Sequence, residues 1–550
     1  MNTTRKTRDV WTILSLAILA GYGLFLLYPL FKILNGALVD EAGNFSLQWF
    51  QRFFNDTYYW RILGNSFKVS ISATLTTIII GYPLAYFFNL YEVKGRKFIQ
   101  VLIILSAMSA PFIGAYAWIQ LLGRNGFVTL FLKDNFGINL PTIYGFNGIV
   151  LVLTLQLIPL VFMYISGALK KIDRSLIEAS ESMGVTGVNR FFKVIVPLTI
   201  PTVLAAAILI FMRSFSDFGT PLLIGEGYRV FTVEIYQQFM GEVTRNYNLA
   251  STISIIAVVI TASIFLFQKY LSNRFSFQMH SINSIERKKP KLLSNVLIHL
   301  FVYGTVLLSF LPQIVVAYQS FQNTSGKLFV KGYSLNSYRM ALFRVGEAIP
   351  NTLYIGGLAI VFTVLISVLI AYLVVRRSNA INNFMDTVSM IPYIVPGSVV
   401  AIGLIMAFNA PPLVLVGTVT IMVISLVIRR SPYTIRSSVA ILQQIPMSIE
   451  EASISLGASK MKTFFRITLP MMAPGVISGA ILSWVTIITE LSGGILLYGP
   501  KTLTLTIAIY SFVSRGSYGY AAALATILSV FTAISLLIYM RVSGSDDITL

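Results

Sequence analysis

Two polar stretches of the 550-residue chain repeat one another. The first reads Glu178-Ala179-Ser180-Glu181-Ser182-Met183-Gly184 and continues through Phe191-Phe192 to Pro197. The second reads Glu451-Ala452-Ser453-Ile454-Ser455-Leu456-Gly457 and continues through Phe464-Phe465 to Pro470. Matched residues are 273 positions apart throughout. Neither stretch pairs a nucleophile with a base or gathers metal ligands. The chemistry on offer is recognition of another protein. Ser175 and Glu178, like Ser448 and Glu451, have the spacing of a capping box, in which the two side chains satisfy free backbone donors reciprocally. Leu176, Ala179 and Met183 fall on one helical face, as do Ile449, Ala452 and Leu456. Gly184 and Gly457 suit a left-handed helix end. Two short helices around a glycine turn are expected in each stretch, with Pro197 or Pro470 starting the next long helix. Small residues on the face would let a partner pack closely.

A second constellation is ionisable and lies near or within apolar runs: Lys68, Arg213, Asp217 and Glu490. A charge inside a membrane is costly and marks a site by default. Asp217 and Glu490 share the 273-residue offset, and each follows the proline of its stretch by twenty residues. That is about 30 Å along a helix, near the outer end of a span. Two acids facing each other near an axis would attract a cation. Arg213, one helical turn before Asp217, offers the competing role of neutralising it. Its counterpart is Thr486, so the pair is asymmetric, and an arginine there would suit an anionic substrate.

The elements that must hold these groups are membrane helices. The chain is 56% hydrophobic and 11% charged, with a mean hydropathy of +0.77. Soluble proteins carry about 25% charge. Apolar runs of about 20 residues, the length that crosses a hydrocarbon core, alternate with short polar segments. Spans are expected near 11–31, 62–90, 98–122, 148–169, 201–218 and a sixth ending near Tyr270, then near 293–318, 351–375, 385–407, 413–433, 472–491 and 519–540. About twelve spans put both termini on the cytoplasmic side. Residues 1–270 form the first half, with the polar stretch at 170–197. Residues 271–292 form a basic cytoplasmic linker, 293–541 the second half with its stretch at 443–470, and 542–550 a cytoplasmic tail.

The net charge of +20 follows topology rather than nucleic acid, since Lys and Arg concentrate in the segments expected inside. No cysteine is present, and His280 and His299 lie in or just after the linker with no ligand spacing. The halves also align at Asn65-Ser66 with Asn351-Thr352 and at Ala85-Tyr86 with Ala371-Tyr372, at an offset of 286. The second half therefore lacks thirteen residues, and its loop at 409–412 is minimal where the first half has Gly123 to Asn147. Six spans per half make the repeat parallel, with a pathway between the halves.

Both polar stretches resemble the EAA loop of bacterial binding-protein-dependent ABC importers. That loop reads E-A-A, three residues, Gly, nine residues, then I-x-L-P. The second copy departs only at Ser453, and the first at Ser180, Val194 and Val196. The resemblance implies an all-α membrane protein of the type I importer fold, in two parallel six-helix repeats. It implies that each loop is a coupling helix seated on an ATPase subunit, with the glycine turn setting its angle. No G-x-x-x-x-G-K-S/T occurs, so the chain carries no cofactor and is not itself an enzyme. ATP and Mg would be used by two copies of a partner ATPase, whose closure draws the loops together and opens the halves outward. An extracytoplasmic binding protein, membrane lipids and a bacterial inner or plasma membrane complete the expectation.

Ala115-Tyr116-Ala117-Trp118, Leu121-Leu122-Gly123-Arg124-Asn125-Gly126 and Ser216-Asp217-Phe218-Gly219-Thr220-Pro221-Leu222-Leu223 look like the fused permeases of the ferric-iron branch, with Glu490-Leu491-Ser492-Gly493 in the matching place. Fused permeases for thiamine, sugar phosphates and aminoalkylphosphonates look similar. An ion-coupled secondary transporter would also have twelve spans but would not need two such loops.

Overall fold

The computed structural model describes residues 10–40, 42–107, 111–241, 245–274 and 287–543. The apolar runs become helices because a chain in lipid must satisfy its own backbone hydrogen bonds. The first half contains α1 (Val10–Ala37), α2 (Thr57–Leu90), α3 (Arg96–Ala107), α4 (Pro111–Leu122), α5 (Phe146–Lys170), α6 (Arg174–Ser182), α7 (Gly187–Phe215), α8 (Gly219–Ile224), α9 (Phe231–Met240) and α10 (Tyr247–Arg274). The second half repeats this order. It contains α11 (Leu292–Ser320), α12 (Ala348–Arg376), α13 (Ala380–Ile394), α14 (Gly397–Phe408), α15 (Val419–Gln444), α16 (Met447–Ser455), α17 (Lys460–Ile488), α18 (Gly494–Leu497), α19 (Leu505–Ser514) and α20 (Tyr518–Ser543).

Among the described residues nine helices are long and apolar enough to cross a membrane, and two bent pairs raise this to eleven. The remaining expected span is α15, 26 residues long, at the place of α5. Arg429, Arg430 and Arg436 make it less apolar.

Three expectations need correction. The spans expected at 98–122 and 385–407 are not straight: they bend by 101° and 111°. In the second, Val395 is extended before Pro396, which supplies no N–H and disfavours a helical predecessor. The span expected from Pro201 begins earlier, because α7 runs unbroken from Gly187. Pro197 and Pro470 therefore do not start helices. Each follows a single wide turn within one, where the Val196 N–H reaches the Phe191 carbonyl and the Leu469 N–H reaches that of Phe464. Such turns relieve the crowding a proline ring imposes on the carbonyls behind it.

The halves interlock. Trp11 of α1 packs on Tyr372 and Phe464 of the second half, at centroid distances of 4.6 and 5.4 Å, and Tyr22 hydrogen-bonds Ser431 at 2.9 Å. In exchange α11 lies on the first half. Its His299 Nε2 accepts from the Lys94 N–H at 3.2 Å, Tyr303 donates to the Lys94 carbonyl at 3.0 Å, and Phe301 meets Phe87 at 5.8 Å. His299 is thus a structural tie; His280 lies outside the described residues.

Of the linker, 287–291 are described, and 275–286 are not. Lys288 forms a short parallel bridge with Tyr91. The tail beyond Ser543 and the basic residues before Val10 also lie outside the described residues. The loop at 123–147 contains a further helix, Phe127–Phe136, where the second half has none. Sequence patterning gave no sign of the small antiparallel hairpin of β1 (Gln322–Ser325) and β2 (Leu328–Tyr333).

Candidate functional site

The two polar stretches fold alike. α6 ends in Met183 and α16 in Leu456, followed by Gly184 at φ +76° and Gly457 at φ +89°. The Val185 N–H bonds the Ser180 carbonyl and that of Gly184 bonds Glu181; Ala458 to Ser453 and Gly457 to Ile454 repeat the pair. This is the glycine-terminated motif that satisfies the last carbonyls of a helix. A Cβ at either glycine would meet nothing within 4 Å, so backbone conformation alone excludes other residues.

The start of each helix differs from the expected capping box. Asp173 caps α6 by accepting from the Ser175 N–H at 2.9 Å, and Glu178 pairs with Arg174 at 2.5 Å. Pro446 begins α16 without a side-chain cap. Aspartate one turn earlier is the better acceptor, and a helix entered from proline needs one donor fewer.

Glu178, Ala179, Glu451 and Ala452 are exposed, and Ser180 and Ser453 are buried. The serines standing for the second alanine bond differently: Ser180 back to the Ile177 carbonyl of its own helix at 2.7 Å, and Ser453 across to the Thr463 hydroxyl of the next helix at 3.0 Å. Met183 and Leu456 are 80% and 90% exposed, the apolar face a partner would cover. Phe191 meets Tyr86 edge-on at 4.8 Å, and Phe464 meets Tyr372 at 4.8 Å. These aromatic pairs seat both loops on α2 and α12 and account for the first phenylalanine of each Phe-Phe; Phe192 and Phe465 are exposed.

Arg213, Asp217 and Glu490 come together at one cavity of about 360 Å³ between the halves. α4, α5 and α7 face α13, α15 and α17 across it. Lys68 is exposed on α2 and does not line it. Asp217 and Glu490 occupy equivalent places with equivalent bonds. Asp217 accepts the Thr220 N–H at 2.9 Å and Glu490 the Gly493 N–H at 3.0 Å, so each caps the short helix that follows its span. Thr232 and Thr506 bind their backbone carbonyls at 2.7 and 2.9 Å.

Their charge partners differ. Arg429 reaches Glu490 at 2.5 Å, and Arg430 bonds its other oxygen. No ion pair joins Arg213 to Asp217 among the described residues. Arg213 faces Tyr393, Tyr433 and Tyr164 instead. It is surrounded by protein yet exposed, because its accessible surface opens into the cavity. Gly397 permits the approach of Arg429: a Cβ there would stand 2.3 Å from its Nη1.

Sequence reasoning missed Arg429 and Arg430, which fall at the end of the span expected at 413–433 and read as its basic flank. The signal was available. The 273-residue offset aligns them with Gln156 and Leu157 in the middle of α5.

A membrane chain of two interlocked repeats, each following a long helix with an exposed glycine-turned loop and sharing one cavity with charged residues in its lining, is the architecture of a transport permease. The chain belongs to the family of binding-protein-dependent transport system inner membrane components, whose model matches residues 77–277 and again 363–543. A ferric transport system permease of Actinobacillus pleuropneumoniae is 29% identical over 539 residues, 95% of this chain and 77% of that protein. A putative ferric transport system permease of Haemophilus influenzae is 29% identical over 492 residues, 87% of this chain and 76% of the relative. A putative 2-aminoethylphosphonate permease of Salmonella paratyphi A is 29% identical over 237 residues, 43% of this chain and 88% of that protein. A crystal structure of a bacterial ABC transporter that imports alginate has a chain 20% identical, with a TM-score of 0.34, covering 46% of this chain and 94% of its own.

Proposed function

We propose that this permease serves an ATP-driven importer of ferric iron. Two copies of a separate ATPase dock on α6 and α16, and an extracytoplasmic binding protein delivers the cargo. The single observation that carries the coupling role is the pair of exposed, equivalently built loops on one chain. The iron assignment draws on the ferric transport relative that matches 95% of the chain.

The geometry supplies a route for the work. Each coupling helix turns at its glycine into a 29-residue helix, Gly187–Phe215 or Lys460–Ile488, that ends beside Asp217 or Glu490. Such a helix is about 43 Å long. ATP-driven closure of the two ATPases would bring α6 and α16 together, and α7 and α17 would carry that displacement to the cavity. Opening follows on the outer side, and release of ADP and phosphate reverses it. Both termini and the linker then lie on the ATPase side, in the inner membrane of a bacterium.

The test is reconstitution with ATPase and binding protein in liposomes. ATP-dependent uptake of labelled ferric iron and one permease to two ATPases by native mass spectrometry are expected. A one-to-one complex, or ATPase binding that survives removal of both loops, would overturn the coupling assignment. ATP-dependent uptake of 2-aminoethylphosphonate without iron would overturn the cargo.

A further inference from the structure

Resting on that transport role, we infer that the cavity receives its cargo as an oxyanion, or as a metal ion already complexed by one, and that Arg213 is the group that takes hold of it. Three guanidinium groups and two carboxylates line the cavity. The carboxylates are engaged. Glu490 lies between Arg429 and Arg430, with its oxygens also accepting from Ser492 at 2.6 Å and Gly493 at 3.0 Å. Asp217 caps α8 through Thr220. Arg213 has no carboxylate partner among the described residues, and it is an exposed member of the cavity lining. A bare trivalent cation entering there would meet an excess of positive charge in surroundings that screen it poorly. An oxyanion, or iron carrying carboxylate or phosphate oxygens, would meet a planar fork of donors.

The surroundings are polar in the same sense. Arg213 faces the hydroxyls of Tyr393, Tyr433 and Tyr164. Nor is the arrangement a by-product of the duplication. Arg213 has Thr486 as its counterpart, and Arg429, Arg430 and Tyr433 have Gln156, Leu157 and Leu160. A volume of 360 Å³ admits a small polycarboxylate or phosphate-class anion.

The experiment titrates the full permease–ATPase complex with sodium citrate, inorganic phosphate and 2-aminoethylphosphonate, at matched ionic strength in chloride, by calorimetry. One oxyanion per permease is expected. Arg213→Gln should weaken binding at least tenfold, Arg213→Lys should restore part of it, and Tyr393→Phe should weaken it a few-fold. Complexes are first checked for assembly and melting temperature; should Arg213→Gln not assemble, the other two variants decide.

Ferric citrate uptake is measured alongside. Iron uptake by the wild type with oxyanion binding indifferent to Arg213 would overturn this inference and leave the transport role intact. Arg213-dependent oxyanion binding without any iron uptake would remove iron as cargo and retain the inference. In liposomes with and without anionic lipid, loss of citrate binding only when anionic lipid is present would make a headgroup the occupant and overturn the assignment to cargo.

Discussion

On the buried face of α16, Glu450 lies against Arg376 at 2.8 Å, and Arg376 also binds the Ile445 carbonyl at 2.7 Å. At the same places the first half has Ile177 and Leu90, both buried. The first half places its ion pairs elsewhere, where the half-exposed Glu181 of α6 holds both the buried Arg190 and the linker's exposed Lys288. A similar contrast separates Asp217 from Glu490. One backbone plan thus carries an apolar or a charged filling. What both halves retain are the left-handed glycine, the wide turn before the proline, the Phe–Tyr contact and the acid that caps the next short helix. Those are the parts that the proposed coupling would require of each half, whereas the filling differs between them.

The largest expected effect tests the cavity. Glu490→Gln leaves Arg429 and Arg430 side by side without a carboxylate and should cost about 3–5 kcal/mol. Asp217→Asn keeps an oxygen for the Thr220 N–H and should cost about 1 kcal/mol or less. Melting of the purified complex would show the difference, and equal shifts would mean that the two acids are electrostatic equals after all.

Next comes the buried pair. Glu450→Gln alone should cost about 3 kcal/mol, whereas Glu450→Ile combined with Arg376→Leu, which imports the first half's residues, should lie within about 1 kcal/mol of the parent. A double variant no more stable than the single one would show that the second half needs its charges.

The glycines should behave alike. Gly184→Val and Gly457→Val each impose a left-handed strain of about 1–2 kcal/mol, and each should abolish substrate-stimulated ATP hydrolysis in liposomes. Loss in only one variant would make the two loops functionally unequal.

The smallest effect concerns the linker. The hydrogen bond from Lys288, aided by Arg190, holds the Glu181 carboxyl below the usual glutamate range. A carboxyl depressed in this way contributes above that range and ceases to as pH falls through its lowered value. Lys288 should therefore stay pinned at neutral pH and loosen in acid. Lys288→Gln should cost about 0.5 kcal/mol or less, this being a largely exposed pair. Protease cleavage at 287–291 would report it, and a pH-independent rate would count against the pin.

The duplication, most of the spans and the glycine-turned loops were legible because each is written in local composition or in a fixed offset. Ser180 and Ser453 are small because their positions are buried, and Gly184 and Gly457 because of φ; both constraints act on single residues. Capping was misjudged because Ser175 and Asp173 both have plausible spacing, and only the path of the incoming chain decides between them. The bends at 395–397 depend on what packs on either side. The Glu490 pairing joins residues about sixty apart, and nothing in the acid's own neighbourhood announces it.

The exchange of first helices has a consequence for biogenesis. Trp11 rests on Tyr372 and Phe464, which leave the ribosome some 360 to 450 residues later. At about 5–20 residues per second that interval is of the order of 20 to 90 seconds. Throughout it α1 lacks the Ser431 partner of its Tyr22, while its Ser15 can already bond the Trp11 carbonyl of the same helix. A helix made hundreds of residues before these partners therefore waits for them, and the membrane, or whatever insertion machinery attends it, must shelter that helix until the second half arrives.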